Sequence, residues 1–154
     1  MYKRQPAGKG LWSAFWLLNA YYKQDQPADP EIDIIEAIGD RTTTANQAYH
    51  YMVDLDGDGF FNDRMSVENR SFINDFSADF HTYSADWSEG LLIYYVDGVE
   101  VKRIEGDLVS DEQMYIIANL AVGGNFNQAE VDPSVLPARL DIDYIRVYQE
   151  NDTP

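Results

Sequence analysis

Apolar and polar residues alternate along most of this chain in short runs closed by glycine, proline, asparagine or aspartate, and no segment sustains an apolar period of 3.6 residues. Period-two alternation is the mark of half-buried β-strands. It predicts strands over residues 11–18, 31–38, 47–53, 80–84, 91–96, 99–104, 115–122 and 138–148. Asp97-Gly98, between LLIYYV and VEVKRI, is the clearest hairpin signal, because a two-residue type I′ turn requires positive φ at both positions. Residues 22–30 and 125–137 are polar, contain proline and read as loops. The expectation is a single all-β sandwich domain over residues 1–149 with a short tail at 150–154.

The predicted strand at 31–38 carries unusual chemistry. Its first six residues, Glu31-Ile32-Asp33-Ile34-Ile35-Glu36, set three carboxylates in an otherwise apolar stretch, where burial without a catalytic or ionic role is costly. Simple alternation puts Glu31 and Asp33 on one face and Glu36 on the other. One β-bulge between Asp33 and Glu36 resets the alternation, and bulges concentrate beside active sites. All three acids then line one groove. With four effective strand steps the Glu31 and Glu36 Cα atoms stand on the order of 13 Å apart. Their side chains must lean inward to reach the roughly 5–5.5 Å carboxyl separation of a retaining glycosidase. The bland alternative is a solvated strand face in a chain with 27 Asp and Glu residues, and the flanking segments weigh against it.

Those segments and the acidic hexapeptide together resemble glycoside hydrolase family 16, the group of laminarinases, agarases and carrageenases, whose signature is E-x-D-x-x-E. GKGLWSAFWLL resembles the family's tryptophan-rich strand. FHTYSADWSEGLLIYYVDGVEV resembles its histidine and tryptophan strand with the following hairpin, and IIANLAVGGNF and LDIDYIRVYQ resemble its closing strands. The likeness implies a concanavalin-like β-jelly-roll sandwich with Glu31 as nucleophile, Asp33 as supporting carboxylate and Glu36 as general acid/base. It implies an endo-acting retaining hydrolase of a β-linked polysaccharide, working outside the cell, with no cofactor for catalysis and an export signal beyond this chain. The bulged motif favours the laminarinase, agarase and carrageenase branches. A neutral β-1,3-glucan is the first expectation for so acidic a chain. The alternatives are an agarase, carrageenase or exopolysaccharide depolymerase, or a non-catalytic carbohydrate-binding fragment of the fold. Family members carry several more strands ahead of the tryptophan strand, whereas here Met1-Tyr2-Lys3-Arg4 opens almost directly onto it. The resemblance therefore implies a fold lacking those N-terminal strands, with edges open to strand exchange.

Further candidates surround the acids. Trp12 and Trp16 share a strand face by period two, and core packing and sugar stacking are equally open to them. By resemblance they belong beside the cleft. His81 matches a family histidine near the catalytic strand, and Asn119 matches the closing cleft strand; both are candidate substrate contacts, and His50 carries less. The segment from Asp54 to Asp63 resembles the first part of an EF-hand loop. Asp54, Asp56 and Asp58 fall at positions 1, 3 and 5, Gly59 at 6, the Phe60 carbonyl at 7 and Asn62 at 9. Met65 stands where the bidentate acid belongs, leaving Asp63 or Glu68 to substitute. A structural Ca²⁺ is one reading and an acidic turn the other.

Composition narrows the partners. With 11 Lys and Arg against 27 acids the formal charge is −16, which excludes a general basic surface for nucleic acid or anionic lipid. A few cations remain to line a local groove. Cysteine is absent, so neither disulfides nor thiol chemistry arise. No run reaches the roughly 18 apolar residues of a membrane span, and neither histidine has metal-ligand spacing to another.

Overall fold

The computed structural model describes residues 1–20, 30–126 and 130–149. All but the last residue of the expected loop at 22–30, the middle of the second loop and the tail at 150–154 lie outside the described residues. The described chain folds as strands β1 (Tyr2–Arg4), β2 (Leu11–Asn19), β3 (Glu31–Ile38), β4 (Thr44–Val53), β5 (Asp63–Phe72), β6 (His81–Ser88), β7 (Leu91–Val96), β8 (Val99–Glu105), β9 (Met114–Val122) and β10 (Asp141–Tyr144), with a 3₁₀ turn at Pro133–Val135. Two five-stranded antiparallel sheets result, one in the order β10-β1-β6-β7-β8 and the other β5-β4-β3-β2-β9. This is the all-β sandwich that the alternation predicts. No helix among the described residues is long and apolar enough to cross a membrane.

One face of each sheet supplies the core. Phe15, Ile32, Ile35, Tyr49, Phe76, Tyr83, Leu92 and Tyr94 form its centre and are almost wholly buried. Each such side chain contributes about 1.5–3 kcal/mol through removal from water. The tyrosine hydroxyls are satisfied where they lie: Tyr94 donates to the Ala48 carbonyl at 2.6 Å, Tyr49 donates to Leu108 O at 2.8 Å, and Gln5 Nε2 donates to Tyr83 Oη at 2.8 Å. Lys3, in the same core, is not satisfied. Among the described residues its Nζ is buried with no hydrogen-bond partner, 5.6 Å from the Tyr83 ring centroid, and burial lowers its pKa to about 7.

One tight turn in each sheet depends on glycine. Asp97 and Gly98 adopt φ of 50° and 77°, the pair of positive angles required of the predicted hairpin turn between β7 and β8. Gly39, after β3, donates to Leu11 O at 2.9 Å and accepts from Gly8 N at 2.8 Å. A Cβ there would sit 2.3 Å from the Gly8 carbonyl oxygen, so only glycine lets the end of β3 approach the start of β2.

The structure corrects several boundaries. β4 begins at Thr44, β6 extends to Ser88, and the expected strand at 138–148 shortens to Asp141–Tyr144. The last follows from its partner: β1 has three residues and offers pairing only to Tyr144, Ile142 and Asp141. β5 was not expected, because its groove-facing positions Arg64, Ser66, Glu68 and Arg70 are polar and only Val67, on the other face, packs against the core.

Candidate active site

β3 pairs with β4 as Glu31 to His50, Ile32 to Tyr49 and Asp33 to Ala48, then resumes at Glu36 to Asn46. Ile34 and Ile35 thus oppose the single residue Gln47, the bulge expected between Asp33 and Glu36. On the other side, Phe15 pairs with Ile35 and Trp16 with Asp33, so Ile34 is passed over. Both isoleucines join the core. Burying a second one is worth about 1.5–3 kcal/mol, against about 0.5–1.5 kcal/mol for a ladder hydrogen bond forgone. The apolar pair therefore favours the bulge. Asn46 Nδ2 donates to the Glu36 carbonyl at 3.1 Å and ties the bulged strand to its neighbour.

The reset alternation brings Glu31, Asp33 and Glu36 onto one face. They line a groove of about 360 Å³ together with Trp12, Trp16 and Asn119. A neighbouring hollow of about 290 Å³ shares Glu36, His50 and Glu68 with it and continues over β4 and β5 to Asn69 and Arg70. Three of the four expected substrate contacts meet here: Trp16 Nε1 donates to Asn119 Oδ1 at 2.8 Å, and Trp12 stacks on Phe126 with centroids 4.9 Å apart. One half of the floor is aromatic and the other is charged and hydrogen-bonding.

Electrostatics distinguish the three acids. Glu36 is only 8% exposed, and burial first, then the charges of Asp33 and Glu31, push its pKa up to about 8. The indole N–H of Trp12 pulls slightly the other way, although it makes no hydrogen bond of good geometry. Asp33 is also raised by burial, but His50 opposes the rise, with Nε2 at 3.0 Å from Asp33 Oδ2. Arg64 Nη2 reaches Glu31 Oε2 at 2.9 Å. Among the described residues Glu36 alone of the three has no cationic or imidazole partner, so a proton held by the group belongs there. A buried acid that holds its proton to about pH 8 beside two further carboxyl groups is the equipment for general acid/base work.

His81 lies elsewhere. It sits on β6 in the opposite sheet, buried, with Nδ1 2.7 Å from Asp97 Oδ2. The type I′ turn brings Asp97 back onto β6, which gives the histidine a structural partner instead of a substrate. His50, the weaker expectation, takes the place beside the acids. Sequence reasoning missed Arg64, Glu68 and Phe126. The only signal for the first two was the alternation of Met65 and Val67 with polar neighbours.

The acidic loop brings together Asp54, Asp56 and Asp58, one oxygen of each lying within 4.8 Å of the others. Asp54 accepts from the N–H groups of Gly57, Asp58 and Gly59, and Phe60 enters through its N–H, which donates to Asp58 at 2.8 Å. Asp63 accepts from Leu55 N at 3.1 Å and Glu68 lines the groove; neither is among the three converging carboxylates.

With this geometry in hand, the family model for glycosyl hydrolases family 16 matches residues 1–146. The chain belongs to this family. It is similar to glucan endo-1,3-beta-glucosidase A1 of Niallia circulans, 32% identical over 94% of this chain and 23% of that one. It is 36% identical to a glucan endo-1,3-beta-glucosidase of Cryptopygus antarcticus, over 87% of this chain and 53% of the other. Among solved family 16 structures, the laminarinase from Flavobacterium sp. UMI-01 superposes with a TM-score of 0.77 at 30% identity, covering 96% of this chain and 64% of that one. The chain spans less than two thirds of the length of each of these relatives.

Proposed function

We infer that residues 1–149 form the catalytic part of an endo-acting, retaining β-glucan hydrolase that works outside the cell, with a β-1,3-linked glucan as first substrate. The observation that carries this is the bulge in β3, which sets Glu31, Asp33 and Glu36 on one groove face and leaves the proton on Glu36. Glu31 attacks the anomeric carbon while Glu36 protonates the departing glycosidic oxygen. Glu36 then takes a proton from the water that releases the glycosyl-enzyme. Asp33, held by His50, keeps negative charge beside Glu36 and so favours its protonated form. Trp12 and Trp16 offer apolar faces to pyranose rings, and Asn119 has its Nδ2 left for a sugar hydroxyl. The β-1,3 preference is supported by the relatives above, two of which are named glucan endo-1,3-beta-glucosidases.

Reducing-end release from laminarin, mixed-linkage glucan, agarose and carrageenan, followed by NMR of the first product anomer, tests the reading. Laminarin should be cleaved with the β-anomer formed first. Glu31→Gln should lose activity by on the order of 10⁴-fold or more with folding intact. Initial release of the α-anomer, or turnover by Glu31→Gln, overturns it.

The loop at Asp54, Asp56 and Asp58 supports a second role, a structural calcium ion. Three carboxylates converging in a glycine-containing turn suit the flexible, all-oxygen coordination of calcium better than the rigid octahedron of magnesium. Cleavage by two carboxylates needs no metal, so the ion would act on stability alone.

A further inference from the structure

The groove-facing positions of β5 are Arg64, Ser66, Glu68 and Arg70, each set two residues apart; the last three pair with His50, Ala48 and Asn46 of β4. Arg64 lies two strands away from Glu31, yet its guanidinium crosses β4 to reach Glu31 Oε2 at 2.9 Å. Among the described residues this is the only hydrogen bond or ion pair that the Glu31 carboxylate makes. The side chains are 54% and 18% exposed, and an ion pair this open contributes little to stability. Its effect is therefore to be sought in geometry. The terminal torsion of a glutamate is broad, so an unheld carboxylate presents no fixed oxygen to an incoming carbon. Arg64 fixes Oε2 and, with it, the plane that carries Oε1.

We propose that Arg64 is a positioning residue that holds Glu31 so that Oε1 faces the anomeric carbon, an inference that rests on Glu31 being the nucleophile. In the first step Oε1 forms the bond to the anomeric carbon, the glycosidic C–O bond breaks, and the departing oxygen takes the Glu36 proton. Glu31 loses its charge as the ester forms. In the second step water attacks that carbon, Glu36 accepts its proton, and the released carboxylate regains Arg64 as its partner. Both steps pass through the Arg64–Glu31 contact, whereas protonation of a leaving group belongs to the first alone.

The test compares Arg64→Met, Arg64→Lys and Glu36→Gln on laminarin and on an activated dinitrophenyl β-laminaribioside, whose leaving group needs no acid. Arg64→Met should lower kcat roughly 10- to 100-fold with KM little changed and with Tm unaltered. Arg64→Lys should recover most of that loss. The Arg64→Met defect should persist on the activated substrate, while that of Glu36→Gln in glycosylation shrinks. A wild-type kcat for Arg64→Met, a loss confined to KM, or a loss accompanied by a fall in Tm would overturn the positioning role. If Glu31→Gln itself turns over, the parent reading fails whatever Arg64 does. If Glu31→Gln is inactive and Arg64→Met behaves as wild type, only this inference fails.

Discussion

At the scale of single residues, one glutamic acid and one lysine are held in states that water would not favour. Glu36 has its pKa raised to about 8 by burial and by Asp33 and Glu31, so it keeps its proton at neutral pH and loses it on the alkaline side. Activity should decline as pH rises through about 8. Asp33→Asn removes one of the charges that hold the proton on Glu36, and the alkaline limb of the pH–rate profile should move to lower pH; an unmoved limb would separate Asp33 from the acid's titration. The same residue links to stability. Folded Glu36 binds a proton between its ordinary value of 4.5 and about 8, where the unfolded chain does not, so its contribution is present below that range and is lost as pH rises through it. Lys3 runs the other way. Its folded pKa of about 7 lies below the ordinary 10.5, so the unfolded chain binds more protons between the two and stability rises with pH across that window. Below pH 7 the buried ammonium exacts its full cost. Lys3→Met should therefore stabilise the fold most at acid pH, with an upper bound on the order of 3–5 kcal/mol. Chemical denaturation of both forms at pH 6 and pH 10 measures the difference, which should narrow at the higher pH.

At the scale of elements, the catalytic strand depends on an irregularity. Ile34 and Ile35 share one opposing residue and both enter the core. Inserting one alanine between Asp33 and Ile34 puts Glu36 one step out of alternation even with the bulge in place, and Glu36 then either turns into the sandwich interior or drags the strand by one register step. Activity should fall by roughly 10²–10⁴-fold, the usual worth of a general acid, and Tm should fall with it; near-normal turnover would show that the bulge does not place Glu36. This irregularity was legible in the sequence because three acids in six residues can share a face in no other simple way. β3, β7 and the Asp97-Gly98 turn were equally legible, since short apolar runs rich in β-branched and aromatic residues and a two-residue turn leave few alternatives. β5 was not. Its groove face must be polar to meet a polar ligand, so the hydrophobic signal survives only at alternate positions of an edge strand, and Arg64 and Glu68 were lost with it. His50 was underrated for a related reason: its position opposite Glu31 follows from the strand register, which the bulge and the turn after β3 fix jointly and no local pattern reveals. His81 was overrated because the partner that occupies it, Asp97, comes from a turn sixteen residues away.

At the scale of the whole molecule, 27 acids against 11 bases leave a net charge of −16, and self-repulsion of that size opposes the compact state. Much of the repulsion is diffuse and is screened by any salt, but Asp54, Asp56 and Asp58 concentrate three carboxylates within 4.8 Å of one another. The chain already works to hold this loop, as three backbone N–H groups converge on Asp54 and lower its pKa. A calcium ion would replace mutual repulsion by attraction to one centre and would stabilise the folded state in proportion to its binding. At a calcium concentration about a hundredfold above Kd the gain is about 2.7 kcal/mol, which for a chain of this size raises Tm by about 5–10 °C. Screening alone also raises Tm, so the comparison must be made at matched ionic strength against sodium and magnesium. The expected result is a shift with calcium that exceeds both and disappears in Asp56→Asn and Asp58→Asn, with kcat unchanged because the ion takes no part in the glycosidic step. Equal shifts for all three cations, or a calcium shift that survives both substitutions, would mean that the loop is an ordinary acidic turn and that the charge of the molecule responds only to bulk salt.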